Sequence, residues 1–185
     1  MSGQSEAWAP VLDFWFAPRM EERWFIKDPT FDAEVRAKLL TPYEAAAAGR
    51  CEEWAEAAHG ALALVILLDQ VPRNLFRNDP RAFACDAEAL RIARQAIEQS
   101  HDQTLSQVER LFLYMPFEHS ESLADQEDCI RLTSALDENP EWLDYAIRHR
   151  DIIARFGRFP HRNAVLGRVC TAEEEAFLAE PGSSF

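Results

Sequence analysis

The strongest constraint on the fold is that the sequence carries almost no strand signal. No run of four or more β-branched and aromatic residues alternates with polar ones between turn residues, as a half-buried strand would require. Apolar side chains instead recur at helical spacing, as Phe31, Val35 and Leu39 do at every fourth position. The sequence therefore predicts an all-α protein.

One long segment is predicted to form the central helix of the fold. It covers residues 51–70, and its second half, ALALVILL at 61–68, is apolar on every side, which is typical of a fully buried helix. Pro72 is expected to end this helix, since proline lacks an N–H group and clashes with the preceding turn. For the same reason Pro42 is expected to break or kink the helix before it.

Capping residues and short connections mark the remaining helices, about eight in all. They are predicted at residues 7–16, 28–49, 80–99, 104–116, 120–136 and 140–157. In a last, C-terminal helix, Thr171 is expected to cap the first turn with Glu174 in capping-box spacing. This succession suits either a bundle or a solenoid-like stack of helix pairs. The 185 residues are expected to form a single domain over 1–185.

Charge and hydropathy argue against several classes of function. The net charge of −13 repels nucleic acid and anionic membranes, because both are bound through Lys and Arg. The longest apolar run has eight residues, well short of the roughly 20 that a membrane-spanning helix needs. No secretory signal is visible at the N-terminus. A cytoplasmic protein is expected, with neither nucleic acid nor membrane as partner and with homo-oligomer formation left open.

The cysteines give no sign of a metal or redox centre. Cys51, Cys85, Cys129 and Cys170 are widely and irregularly spaced, and no C-x-x-C pair occurs. They are expected to be reduced thiols, mostly packed in helices.

Three segments carry polar residues that look selected for a shared site. The first is LDQVPRNLFR at residues 68–77, where an apolar helix ends abruptly in charge. Its candidate ligand-binding residues are Asp69, Gln70, Arg73, Asn74 and Arg77. A structural alternative is a local ion pair of Asp69 with Arg73, while Asn74 satisfies carbonyls at the helix end.

The second segment is FLYMPFEHSE at residues 112–121, with Glu118, His119 and Glu121 in an aromatic stretch. Buried carboxylates are costly unless they are paired. Because burial raises the pKa of a carboxyl group, Glu118 is a candidate catalytic acid or base, and His119 and Glu121 are candidate ligand-binding residues. The alternative is helix capping, with Ser120 as N-cap and Glu121 in the first turn.

The third segment, residues 148–168, is a basic island with a charge of +5, while the rest of the chain sums to −18. Guanidinium groups bind carboxylates and phosphates through paired donors, and a helix start near Pro160 adds free N–H groups, so this segment indicates an anion site. Its candidate residues are His161 as acid or base, and His149, Arg155, Arg158, Arg162 and Asn163 as ligand-binding residues. The alternative is that Arg155, Arg158 and Arg162 brace the fold by pairing with Glu118, Glu121 and Asp69.

A metal site is not predicted, although His119, His149 and His161 with Glu118 could supply nitrogen and oxygen ligands. No H-E-x-x-H or comparable spacing supports such a site, and the neighbouring arginines disfavour a cation. Ser120 lacks the G-x-S-x-G context of a nucleophile. Neither a metal nor a cofactor is expected.

Together, LDQVPRNLFR, FLYMPFEHSE and FGRFPHRN with a following LGR resemble the motifs of a bacterial family, domain of unknown function 924. The resemblance extends to VLDFWF at residues 11–16 and RWF at 23–25, and so covers nearly the whole chain. It implies a tetratricopeptide-like helical fold, although the W-x-x-L-G-x-x-Y repeat signature is missing here. It brings no established activity, and the candidate residues of the three segments all match the family's motifs.

Three functions remain open at this point. The leading hypothesis is a binding protein with an Arg- and His-rich pocket for a small anionic molecule or an acidic peptide. The second is a hydrolase that acts on a negatively charged substrate, with Glu118 or His161 as acid or base and arginines holding the substrate. The third is an interaction protein that uses a groove between helix pairs. Fold alone does not decide among them, because function depends on the site.

Overall fold

The computed structural model describes residues 7–183, and within them the protein is all-α, as predicted. The α-helices are α1 (Ala9–Trp15), α2 (Pro29–Ala47), α3 (Ala58–Val65), α4 (Val71–Leu75), α5 (Asp86–Glu98), α6 (Gln107–Glu118), α7 (Leu123–Thr133), α8 (Glu141–Phe156) and α9 (Ala172–Leu178). A π-helical turn, Ile66–Gln70, joins α3 to α4 without a break. With residues 58–75 taken as one continuous helix, the described part holds eight, in agreement with the sequence.

Short 3₁₀ turns connect several of these helices. They are Met20–Glu22, Glu52–Glu56, Pro80–Phe83, His101–Thr104 and Pro160–Arg162. Between residues 7 and 183 no helix has both the length and the apolarity that crossing a membrane requires.

The central helix is α3 with its π turn, as the apolar run predicts. Every residue from 61 to 68 is almost completely buried, and α1, α5 and α6 all pack against α3. The helix begins at Ala58, later than predicted, because a 3₁₀ turn precedes it. This turn approaches the helix so closely that a Cβ atom on Gly60 would lie 2.2 Å from the carbonyl oxygen of Trp54. Only glycine fits at that position.

The prediction that Pro72 ends the central helix is wrong. The helical path continues through Pro72 to Leu75 as α4. The π turn directly before it explains why: in an α-helix the proline ring would clash with the carbonyl group of Leu68, whereas a π turn is wider and bonds to the fifth residue. Pro42 and Pro116 also lie inside their helices, α2 and α6, and do not end them.

Successive helices pack on one another along the second half of the chain. Helix α5 packs on α6, α6 on α7 and α7 on α8, while α2 packs on α4. The predicted capping box of Thr171 and Glu174 is confirmed, and α8 ends at Gly157 in the left-handed conformation, with φ of 69°. Ser120 is not an N-cap, because Ser122 precedes α7 instead.

The C-terminal segment after α8 covers one end of the helices. Phe159 is fully buried and packs with Ile152 and Ile153 of α8 in a small second apolar cluster. The turn Pro160–Arg162 is thereby brought beside the π turn, the start of α5 and the end of α6, where the polar residues of the three predicted segments meet.

Candidate functional site

Asp69, on the π turn, is the centre of a buried polar cluster. Its side chain is fully buried, and its carboxylate oxygens lie 2.7 Å and 3.0 Å from Nδ1 of His119. The guanidinium of Arg73 lies 3.3 Å from one of these oxygens, and the amide of Gln70 donates a hydrogen bond to the other. Burial by itself would raise the pKa of Asp69, but Arg73 and His119 outweigh it and hold the pKa below its ordinary range. Asp69 is therefore a carboxylate at neutral pH.

The contact with Asp69 fixes the tautomer of His119. A carboxylate can only accept, so Nδ1 carries the hydrogen and the neutral ring has Nε2 as its basic nitrogen. Burial, followed by the charge of Arg73, lowers the pKa of His119 below its ordinary value. The side chain keeps 15% of its surface exposed, so water reaches it. His119 is thus a neutral, partly accessible base held by a buried carboxylate.

Two arginines share one carboxylate beside this pair. Arg73 donates two hydrogen bonds of 3.1 Å to Asp86, and the guanidinium of Arg162 lies 3.5 Å from the same group. The Arg162 guanidinium lies over two aromatic rings, 4.7 Å from the centroid of Phe83 and 4.6 Å from that of Phe159. Among residues 7–183, no group accepts a hydrogen bond from its buried Nε. Arg162 is therefore positioned by aromatic rings while much of its donor capacity is unused.

The charge of Arg162 persists in spite of its burial. Burial, reinforced by the nearby positive charge of Arg73, lowers the pKa of Arg162 to about 10. Burial also raises the pKa of Asp86 above its ordinary value. Arg162 is still cationic at neutral pH.

Glu118 and His149 face each other beside this cluster, where the ring of His149 lies 6.4 Å from that of His119. Their closest atoms, Oε1 of Glu118 and Nδ1 of His149, lie 3.2 Å apart, and Nδ1 is also 2.9 Å from the carbonyl oxygen of Tyr145. Burial, followed by the charge of Asp69, raises the pKa of Glu118 to about 8. Burial lowers the pKa of His149 to about 3. At neutral pH both groups are uncharged, and Glu118 holds a proton.

His161 lies in the turn Pro160–Arg162, next to Arg162 in the chain. Burial, followed by the charge of Arg162, lowers the pKa of His161 to about 4. Its ring packs against that of Phe159, with a centroid distance of 5.6 Å. The three histidines of the cluster are therefore all neutral at neutral pH.

Part of the predicted site lies elsewhere and braces the fold. Arg77 and Asn74 both bind Asp32 of α2, at 2.8 Å in each case. Asn163 donates to the sulfur of Cys170 at 3.3 Å. These hydrogen bonds connect elements of the fold to one another. None of them involves a residue of the Asp69 cluster.

Arg155, Arg158 and Arg162 do not form the ion pairs that the bracing alternative predicts. Arg155 binds Glu173 at 2.9 Å, and Arg158 binds Glu174 at 2.6 Å and 2.7 Å. Only Arg162 reaches the cluster, where it contacts Asp86. The acidic partners of these three arginines are thus Glu173, Glu174 and Asp86 in place of Glu118, Glu121 and Asp69, whereas Arg168 of the same segment does bind Glu121.

Glu121 clamps the loop that carries His161 and Arg162. It accepts two hydrogen bonds from Arg168, at 2.7 Å and 2.9 Å, and one of 2.8 Å from the backbone N–H of Phe159. Burial would raise the pKa of Glu121, but Arg168 outweighs it and lowers the pKa below its ordinary value. Glu121 thus does not contact Asp69 or His119 in these bonds, but helps to hold the loop that carries Arg162 in place.

Sequence reasoning missed Asp86, Phe83 and Arg168. Asp86 looks like an ordinary acidic residue in the first turn of a helix, and nothing in its neighbourhood along the chain marks it as the partner of two arginines. Arg168 belongs to the LGR motif, which is the available signal for its role.

Fold and cluster together define an all-α protein with a buried Asp–His–Arg network and no metal-binding group of His, Cys, Asp and Glu among residues 7–183. The chain belongs to a family of bacterial proteins of unknown function, domain of unknown function 924, which matches residues 11–182. The resemblance inferred from the motifs is thereby confirmed.

A solved structure of a protein of unknown function from Agrobacterium tumefaciens is similar over almost the full length. The TM-score is 0.89 at 40% sequence identity, and the match covers 96% of this chain and 99% of that one. Among curated proteins, none matches the chain.

Proposed function

We propose that the protein binds a small anion, a carboxylate or a phosphate, at the guanidinium of Arg162. The observation that carries this proposal is the buried Nε of Arg162, which has no hydrogen-bond partner among the described residues. Its one anionic contact within residues 7–183, Asp86 at 3.5 Å, already accepts both donors of Arg73. A buried charged donor without a partner is costly, and an anionic ligand removes that cost.

The surroundings of Arg162 suit a planar or tetrahedral oxyanion. The rings of Phe83 and Phe159 hold the guanidinium in place, so that little rotamer freedom is lost on binding. Exclusion of water strengthens each charge-assisted bond. Arg73 binds Asp86 through two donors, so this carboxylate is shared and the Arg162 guanidinium is left incompletely paired.

Burial favours a small ligand over a folded partner. Only 8% of the Arg162 side chain and 21% of the Arg73 side chain are exposed. A single carboxylate or phosphate group reaches such a site, and an acidic peptide reaches it only through its terminal carboxylate. We further propose a cytoplasmic location, in keeping with four cysteines that are free thiols.

The proposal is tested by titrating the protein with inorganic phosphate and with succinate in a zwitterionic buffer, using isothermal titration calorimetry. One anion per chain is expected to bind to the wild type. Arg162→Gln is expected to weaken binding by at least about tenfold, because charge-assisted hydrogen bonds are lost. Arg162→Lys keeps the charge without the paired donors, and we expect an intermediate affinity.

Arg155→Gln is the matched control. It removes the same charge from the same basic segment, but its guanidinium binds Glu173 outside the cluster. Its affinity is expected to equal that of the wild type, which excludes a general effect of net charge. Circular dichroism establishes that each variant keeps its helical content. Absence of binding to the wild type, or equal affinity for Arg162→Gln, would contradict the proposal.

A further inference from the structure

We propose that His119 is a general base and that the cluster hydrolyses an acyl ester bearing a carboxylate, with Asp69 as the positioning residue. This inference rests on the proposed function, because Arg162 would hold the carboxylate of the substrate. It adds a reaction to the binding site and assigns the chemistry to a residue pair other than Glu118 and His161.

The geometry of the pair supports catalysis by His119. Asp69 is itself immobilised, since Arg73 and Gln70 bind its carboxylate and the π turn holds its backbone. The 2.7 Å contact with Nδ1 of His119 therefore fixes both the tautomer and the ring orientation. Nε2 lies across the ring from this contact, and within residues 7–183 it has no hydrogen-bond partner. A histidine held in this way by a carboxylate is the arrangement that acyl-transfer catalysis uses.

A purely stabilising role does not account for His119. Arg73 already supplies the countercharge of Asp69, and Gln70 supplies a further hydrogen bond. Since His119 is neutral, it gives Asp69 one further hydrogen bond, a contact that does not require a side chain with a second, basic nitrogen. A neutral imidazole is, in contrast, what a general base needs at neutral pH.

Arg162 lies within the same network as His119. Contacts run from Arg162 to Asp86, from Asp86 to Arg73, and from Arg73 to Asp69, whose other partner is His119. The cation and the base are thus held by one network of contacts. We propose as substrate an ester that also carries a carboxylate, such as a monoester of a dicarboxylic acid, with its carboxylate at Arg162 and its ester group at His119.

The reaction is a hydrolysis and needs no co-reactant other than water. Nε2 of His119 takes a proton from water, and the water oxygen attacks the ester carbonyl carbon. The bond from that carbon to the alcohol oxygen then breaks, and the proton on Nε2 passes to the leaving oxygen. A carboxylic acid and an alcohol are released, and the imidazole returns to its neutral form.

The test uses mono-p-nitrophenyl succinate, an ester with a free carboxylate, and p-nitrophenyl acetate, a neutral ester with the same leaving group. Wild-type protein is expected to favour the succinate ester in kcat/KM. His119→Gln is expected to lower kcat by about 100-fold or more, while calorimetry shows succinate binding retained.

The pH profile separates positioning from a merely structural role. The basic form of His119 is active, so kcat/KM is expected to rise with pH through a pKa below the ordinary histidine value and then level off. Asp69 raises the pKa of His119 against the effect of burial. Asp69→Asn is therefore expected to move the inflection to lower pH as well as to reduce kcat.

His59→Gln is the matched control. His59 also faces a carboxylate, with Nε2 at 3.4 Å from Glu109, but half of its side chain is exposed and it lies outside the cluster. Its loss is expected to leave turnover unchanged, which excludes unspecific ester cleavage by surface histidines. If wild type binds succinate but cleaves the ester no faster than His119→Gln, the catalytic inference fails and the binding proposal stands. If wild type neither binds nor cleaves, both fail.

Discussion

Glu118 and His149 show how burial sets the chemistry of single residues in this protein. They lie 3.2 Å apart and are both buried, with the pKa of Glu118 raised to about 8 and that of His149 lowered to about 3. Two groups that would form an ion pair in water are therefore uncharged here at neutral pH. The pair stores a proton on Glu118 beside the Asp69 cluster.

The raised pKa of Glu118 predicts a pH-dependent difference between wild type and Glu118→Gln. The unfolded chain releases this proton near pH 4.3, roughly the ordinary glutamate value, whereas the folded protein releases it near pH 8. Between these values the folded state holds the extra proton, so the free energy of unfolding of the wild type falls as pH rises. Glutamine does not titrate. The variant should gain stability relative to wild type from pH 5 to pH 8, by up to about 1.4 kcal/mol per pH unit.

Urea unfolding followed by circular dichroism at unit steps of pH measures this difference. Comparison of the two proteins cancels the titration of groups that they share. Curves that stay parallel from pH 5 to pH 8 would mean that Glu118 ionises normally in the folded state.

At the scale of single residues, the sequence indicates which residues belong to a polar site but not which residues they contact. Polar groups that follow apolar or aromatic runs point to Asp69 and His119, and the excess of arginine in residues 148–168 points to Arg162. Asp86 could not be identified, since its partners Arg73 and Arg162 come from two other elements and no local pattern marks such a contact. The partners expected for Arg155 and Arg158 were wrong as well. Their actual partners, Glu173 and Glu174, lie on the C-terminal helix α9.

The π turn is the element that shapes the site. It carries Asp69 and Gln70, and it allows the central helix to pass Pro72. A π turn inserts a residue into the helical repeat and so changes the direction of the following side chains, a feature frequently found at functional sites. The sequence did not predict the π turn. The apolar run at residues 61–68 fits any fully buried helix, and a proline such as Pro72 more often marks the end of a helix.

The start of the central helix leads to a second prediction on stability. A Cβ on Gly60 would lie 2.2 Å from the carbonyl oxygen of Trp54 and 3.1 Å from the ring of Trp8. Since the first of these atoms belongs to the backbone, it cannot move aside cheaply. Gly60→Ala is expected to lower the free energy of unfolding by roughly 3 kcal/mol or more, as measured by chemical denaturation.

Gly157→Ala is the control for this experiment. Gly157 has φ of 69°, and none of the described atoms lies within 4 Å of the position that a Cβ would take there, so only backbone strain is introduced. Its cost should be about 1 kcal/mol. Equal costs for the two substitutions would show that the close approach at Gly60 is relieved by a small shift of the 3₁₀ turn.

At the scale of the whole molecule, the fold brings distant parts of the chain to one end of the helices. The π turn, the end of α6 and the turn Pro160–Arg162 are far apart in sequence, yet their side chains form one network. Helical periodicity and capping residues predicted the all-α class and most helices. The three segments were expected to meet only because they carry complementary charges. The tertiary packing that brings them together depends on long-range contacts, which a single sequence does not reveal.

The six arginines of the basic island make different contacts. Three of them fasten the C-terminal segment: Arg155 binds Glu173, Arg158 binds Glu174 and Arg168 binds Glu121. Among the described arginines of the island, Arg162 is the one that contacts the polar cluster, and its Nε has no hydrogen-bond partner there. The proposed anion binding would therefore depend on this one guanidinium more than on the total charge of the segment.

The most direct test is a crystal structure of the protein grown without phosphate or sulfate and then soaked in succinate. A succinate carboxylate is expected at the Arg162 guanidinium, at a donor–acceptor distance of about 2.8 Å. A cluster that stays empty, with the Nε of Arg162 bonded to a protein group, or a succinate bound elsewhere, would contradict anion binding at Arg162.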